Sequence, residues 1–171
     1  GIFREKAMDL IFDNLPERNL EEVEEALIAA GEDLLSKGLT TVHSDDLAEF
    51  DRIEPVIELY QRLYQDGKLP KVHLHIHNKH IDEAKELDLE TGSRLSGITI
   101  GGVKIFADGS LGARTAALKE DYSDMPGEQG ILIYTDQELY QMAKEAQNNG
   151  FALAIHAIGD RTAEQALKTI K

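Results

Sequence analysis

Short apolar runs of period two alternate along the chain with longer stripes of period three to four, and glycine or proline punctuates most joins. Phe3, Ala7, Leu10 and Ile11 form a short helical stripe ended by Pro16. Asn19 is placed to cap a helix with Glu21 and Glu22 in its first turn, favourable against the helix dipole. Its apolar face is predicted as Leu20, Val23, Ala26, Leu27, Ala30, Leu34 and Leu35, with Gly38 as the stop. Residues 39–43 read as a strand, followed by the acidic turn Ser44-Asp45-Asp46. A second helix uses Ile53, Val56, Ile57, Tyr60, Leu63 and Tyr64 and ends at Gly67. Val72 to His77 alternates strictly and is predicted as a strand. A short helical segment from Ile81 to Leu87 leads through a glycine-rich approach to a strand around Lys104. Thr135 and Glu138 form a capping box for a helix with Leu139, Met142, Ala143 and Ala146 inward and Gly150 as stop. Residues 151–157 give the next strand, and Asp160 is expected to cap a last helix.

Strands alternating with amphipathic helices indicate βαβ units, hence an α/β fold with a parallel sheet. About four such units are present. A closed (β/α)8 TIM barrel typically needs about 250 residues, so 171 residues supply about half of one. The expected domain is a single partial barrel spanning residues 1–171. The first residues lack an initiator methionine and the last helix lacks a stop signal, so the chain reads as the interior of a longer protein.

Composition narrows the function classes. A net charge of −14 argues against a nucleic-acid partner and against an anionic membrane surface, both of which need clustered Lys and Arg. The absence of cysteine excludes a disulfide scaffold, a thiolate metal site and a thiol nucleophile. No apolar run reaches membrane-spanning length and no signal-peptide pattern opens the chain, so a cytoplasmic location is expected.

The chemistry centres on the stretch from Gly101 to Thr115. On a strand, Lys104, Phe106 and Asp108 share one face, while Val103, Ile105 and Ala107 share the other. A lysine on a buried strand is costly unless it is paired, neutralised or chemically modified. Alternatively, its stem is buried and its amine reaches water. In parallel α/β architectures functional residues collect at the carboxyl ends of strands. Polar residues stand at four such ends: His43 before Ser44, His77 before Asn78, Asp108 before Gly109, and His156 before Gly159-Asp160. Acidic and polar strand ends also arise simply as helix caps. In the strand from Phe151 to His156, the small residues Ala152 and Ala154 share the histidine's face, which suits a crowded barrel interior opening into a site.

His73, His75 and His77 line one face of one strand. Neutral imidazoles are good zinc ligands, but three along a strand span about 13 Å, too far to share one ion. They are therefore expected to be mostly structural, with His77 alone reaching a site. A phosphate-binding role for Gly101-Gly102 or Gly109 to Gly112 is weak, because neither completes a known phosphate-loop pattern.

The pieces GLTTVHSDD (38–46), VHLHIHN (72–78), GITIGGVKIFADGSLGARTAAL (97–118) and GFALAIHAIGD (150–160) resemble the YtcJ-like branch of the amidohydrolase superfamily, family 3. That resemblance implies a metal-dependent hydrolase of non-peptide C–N bonds, with these pieces as barrel strands two to five. It implies Lys104, carboxylated on its amine, and His156 as ligands of one or two divalent ions, zinc by preference. Asp108, Ser110 and Arg114 would shape the substrate pocket or brace the ligands, and His77 and Asp160 would lie near them. The family's first H-x-H pair belongs to strand one, so HLHIH does not inherit that role. Strand one, the strand-six histidine, the strand-eight aspartate and the β-sandwich domain are not in this sequence. With two ligands rather than three, the chain is expected to be inactive alone and to hold no metal there. A small-molecule substrate is expected, with self-association through exposed sheet edges. Two other readings stay open: a non-catalytic binding or regulatory domain derived from the same fold, and a small complete enzyme using His73, His75 and His77.

Overall fold

The computed structural model of the protein describes residues 3, 5–12, 14–16 and 19–171. In chain order its elements are α1 (Asp9–Phe12), α2 (Leu20–Ser36), β1 (Thr41–Ser44), α3 (Glu54–Gln65), β2 (Lys71–His77) and α4 (Ile81–Glu86). There follow β3 (Arg94–Leu95), β4 (Ile98–Phe106), α5 (Asp136–Asn148), β5 (Leu153–His156) and α6 (Asp160–Thr169). Short 3-10 turns precede α1, follow β1 and follow β2. The chain divides into two compact units: Gly1–Pro16, Ile105–Glu145 and Ile155–Lys171 form one, and Glu17–Lys104 with Ala146–Ala154 the other.

In the unit containing Glu17–Lys104, β1 pairs β2 and β2 pairs β4, both in parallel. Val72, Leu74 and Ile76 are buried while His73, His75 and His77 are half-buried, as strict alternation requires. Asn19 accepts the Glu21 N–H and starts α2 as expected. The face that α2 buries is narrower than its sequence stripe, however. Val23 and Gly31 are buried and Leu27 and Leu34 half-buried, whereas Leu20, Ala26, Ala30 and Leu35 are exposed. Gly31 sets this choice, because its missing side chain lets the helix settle on the Lys68 carbonyl and Leu69.

α3 begins at Ile53, which has no side chain able to accept a hydrogen bond. The Glu83 carboxylate of α4 takes both the Ile53 N–H (3.0 and 3.1 Å) and the Glu54 N–H (3.3 Å). β3 was not expected. It folds back on β4 as an antiparallel pair, Leu95 opposite Ile98, through Ser96-Gly97, and Gly97 adopts φ 74° against the Tyr64 ring.

One extra residue sits in β4. Leu74 pairs Ile100 and Ile76 pairs Val103, so Gly101 and Gly102 both lie opposite His75. This is a β-bulge, and both glycines are needed there for space. A Cβ at Gly102 would stand 2.6 Å from the Ala152 carbonyl oxygen, and one at Gly101 would stand 2.6 Å from His75 Nδ1.

In the other unit, Ala107 donates to the His156 carbonyl (3.1 Å), the contact that carries the β4 direction on beside the end of β5. Phe3, Leu10 and Ile11 of the first helical stripe are exposed. α5 starts on the expected capping box: Thr135 N–H donates to Glu138 Oε2 (2.8 Å) and Glu138 N–H to Thr135 Oγ1 (3.3 Å). Among the described residues, no helix is long and apolar enough to cross a membrane.

Candidate functional site

Lys104 extends from the half-buried face of β4, next in register to His77 of β2. Its Nζ lies 3.8 Å from Asp45 Oδ2, in the turn after β1, with the lysine side chain 22% exposed. The lysine is thus neither stranded in the core nor fully solvated. Burial holds the His77 imidazole below its usual pKa, and the nearby cations Lys79 and His80 add to this against an opposing pull from Asp45. His77, Lys104 and Asp45 therefore belong to one cluster, in the unit that contains β1 and β2.

In the other unit, the His156 ring stands at the end of β5, 5.3 Å between centroids from Phe106. Its Nε2 is 2.9 Å from the Gly109 carbonyl oxygen. A carbonyl only accepts, so Nε2 carries the proton, and in the neutral imidazole Nδ1 then keeps its lone pair. Asp108 Oδ1 approaches the same ring at 3.6 Å.

Asp108 is the most deeply placed acid among the described residues, 2% exposed. It accepts from Ala117 N–H (3.0 Å), Ile158 N–H (3.0 Å), Gly159 N–H (2.8 Å) and Thr162 Oγ1–H (2.8 Å). These bonds tie the loop after β4 to the loop after β5 and to the start of α6. With its lone pairs so occupied, the carboxylate holds His156's surroundings in place. Nothing in the local sequence pattern distinguishes Thr162 from an ordinary helical threonine.

The remaining candidates lie at the rim of that unit. Ser110 donates its N–H to Thr115 Oγ1 and accepts the Ala113 N–H, closing a compact loop. Arg114 takes a left-handed φ of 57° and holds Asp124 with two bonds, at 3.2 and 2.7 Å. Asp160 does not cap α6, contrary to expectation. Gly159 is the N-cap, and the Asp160 carboxylate instead accepts the Lys119 N–H at 2.9 Å. Position 159 itself admits only glycine, since a side chain there would collide with the Ala117 carbonyl.

A further cluster escaped the strand-by-strand reading. His43 of β1 is the register partner of His73 of β2, and their rings stack at 4.5 Å between centroids. His75 closes the group, its ring 5.5 Å from His73 and 5.8 Å from His43. One ring nitrogen of each lies within 4.8 Å of the others, and His77 is not part of the group. Burial, then the neighbouring His43 and His75, lowers the His73 pKa. A signal was present in the paired sequences Val42-His43 and Val72-His73, but using it requires the strand register.

The residues fit the donor chemistry of a divalent ion. His156 offers an imidazole with a free Nδ1 lone pair, fixed by its other nitrogen, as ligating histidines usually are. The Lys104 amine, once carboxylated, would offer oxygen donors. Carboxylation would also replace its attraction to Asp45 with a repulsion, which a cation is needed to offset.

The sequence model of the amidohydrolase family matches residues 1–171, and the chain belongs to that family. It is 38% identical over 174 residues to the putative amidohydrolase YtcJ of Bacillus subtilis, an alignment covering 100% of this chain and 32% of that protein. Among solved structures it is similar to an uncharacterized metal-dependent hydrolase from Pyrococcus furiosus, with TM-score 0.77 and 31% identity over 98% of this chain and 35% of the other. A second, from Pyrococcus horikoshii, gives TM-score 0.78 and 31% identity over 98% and 34%. The chain thus spans about a third of the length of the relatives it matches. The fold is α/β: parallel β/α units that make about half of a TIM barrel.

Proposed function

We propose that this chain is the part of a metal-dependent hydrolase barrel that supplies Lys104 and His156 as ligands, for hydrolysis of non-peptide C–N bonds in a small molecule. The observation that carries the reading is His156, held at a strand end through Nε2–H to the Gly109 carbonyl with Nδ1 left bare. It is supported by the full-length match to the amidohydrolase family and by the name given to the Bacillus subtilis relative.

When bound, a divalent ion, zinc by its preference for such ligands, supplies Lewis acidity that polarises a carbonyl and acidifies a water. The chain's own residues set the stage. The Gly109 carbonyl and Asp108 fix the tautomer and orientation of His156. Asp45 faces the Lys104 amine from across the sheet end, beside a His77 whose pKa burial lowers. Ser110 and Arg114, on the compact loop after β4, would contact the substrate. Two protein ligands fall short of the three usual for catalytic zinc, so the 171-residue chain alone is inactive on this reading. A cytoplasmic location goes with it.

The test is an amide-hydrolysis assay on the chain alone and on a longer reading frame that carries it. Lys104→Ala and His156→Ala should each reduce kcat in the longer protein by at least a hundredfold, the ~3 kcal/mol associated with a lost electrophilic contact. Retention of full activity by both variants would overturn the assignment.

A further inference from the structure

The three imidazoles His43, His73 and His75 form the one group of histidine or acidic side chains, among the described residues, whose donor atoms converge closely enough to share an ion. We propose that they are a second metal site, separate from Lys104 and His156, taking one zinc-class divalent ion through three neutral histidine nitrogens with a water as fourth ligand. The inference goes beyond the proposed hydrolase reading and does not depend on it.

Four features carry it. First, register places His43 and His73 on adjacent parallel strands at the same level, with His75 two residues along β2 on the same face. The ligands therefore come from a rigid sheet. Second, the spacing is close to what zinc requires. Tetrahedral zinc with Zn–N near 2.0–2.1 Å sets nitrogens about 3.4 Å apart, and one nitrogen of each ring lies within 4.8 Å of the others, so the rings draw closer together to hold an ion.

Third, His75 already has its outer partner. Its Nδ1 lies 3.2 Å from the Gly102 carbonyl, which can only accept, so Nδ1 holds the proton and Nε2 keeps a lone pair. The bulge provides this contact, since it turns the Gly102 carbonyl toward the ring. It also clears the space: a side chain at Gly101 would stand 2.6 Å from His75 Nδ1 and 2.9 Å from His73 Nε2. Fourth, none of the three rings is sealed in the core: His43 is exposed and His73 and His75 are half-buried. Three imidazoles this close cannot all be protonated without mutual repulsion, so the neutral, ligating form is the one this arrangement favours. Three nitrogens and an open position suit zinc, nickel or copper, and not calcium or magnesium, which take oxygen ligands.

The test uses the 171-residue chain stripped with a chelator and titrated with zinc by calorimetry near pH 7.5, with cobalt(II) as a spectroscopic probe. One ion per chain is expected, with the visible absorption bands of four-coordinate cobalt. His73→Ala and His75→Ala should each weaken binding on the order of a hundredfold. His43→Gln, at an exposed position on a strand end, provides a variant with little risk to folding, and circular dichroism checks all three. Lys104→Ala and His156→Ala should leave zinc affinity unchanged. The proposal is overturned if the chain binds no zinc, or if the folded His43→Gln variant binds it as well as the parent does. It is also overturned if binding is lost only on changing Lys104 or His156, a result that would leave the hydrolase reading intact.

Discussion

At the scale of single residues, Asp108, expected to shape the pocket or to brace the ligands, is seen to tie two loops together. Its carboxylate answers three backbone N–H groups and one hydroxyl, from residues 9 to 54 positions away. Removing an acceptor leaves each buried donor unsatisfied at about 1–3 kcal/mol. Asp108→Ala should therefore cost about 3 kcal/mol or more in urea unfolding, while Ser110→Ala on the exposed loop should stay within about 0.5 kcal/mol. A loss under about 1 kcal/mol for Asp108→Ala would show that water replaces the carboxylate and that the brace is not needed. The strand positions of Lys104 and His156 were legible in the sequence, one as a cation inside a strand and the other at the end of a strand whose same-face neighbours are alanines. Their surroundings were not. That Lys104 faces Asp45 and that Gly109 fixes the His156 tautomer follow from contacts which no local pattern encodes.

At the scale of elements, the bulge in β4 governs two strand contacts. Gly102 lets β5 approach, with the Val103 N–H donating to the Ala152 carbonyl at 2.8 Å, and Gly101 leaves room for the histidines of β2. Gly102→Ala puts a methyl group 2.6 Å from that carbonyl and should cost about 1–3 kcal/mol. The Val103 amide should then exchange its hydrogen faster, whereas Gly112→Ala, with open space around it, should change nothing. Unaltered protection at Val103 would mean the strands accommodate the methyl group and the glycine is incidental. The helices divide in an instructive way. α2 and α5 carry their caps in their own sequence, at Asn19 and at Thr135 with Glu138. α3 and α6 have no such residue and borrow carboxylates from a distance, Glu83 and Asp108. The first pair was predictable and the second was not. β3 was missed for a different reason, since its two residues are too few to show alternation, and only the Ser96-Gly97 turn hinted at it.

At the scale of the whole molecule, apolar side chains remain at the surface of each unit. Leu20 and Leu35 are exposed along α2, and Leu10, Leu111, Leu167 and Ile170 in the other unit. β1, at the end of the strand order, presents an edge. We propose that these surfaces pair copies of the chain. Sedimentation velocity should show mass increasing with concentration, and polar substitution at Leu20 and Leu35 should weaken it. A monomer across the whole range would dispose of the idea.

The sequence by itself determined the alternation of strands and helices, the faces of β2 and β4, the locally capped helix starts and the family resemblance. Each of these rests on residues within a turn or two of one another, where backbone geometry alone dictates which side chains meet. Only the tertiary structure decided which side of α2 is buried, which distant carboxylates cap α3 and α6, and that His43 meets His73 and His75. Those outcomes depend on how distant segments pack and, for the histidines, on the register of β1 against β2. A shift of one position there would turn one strand's histidines to the opposite face and part His43 from His73 and His75.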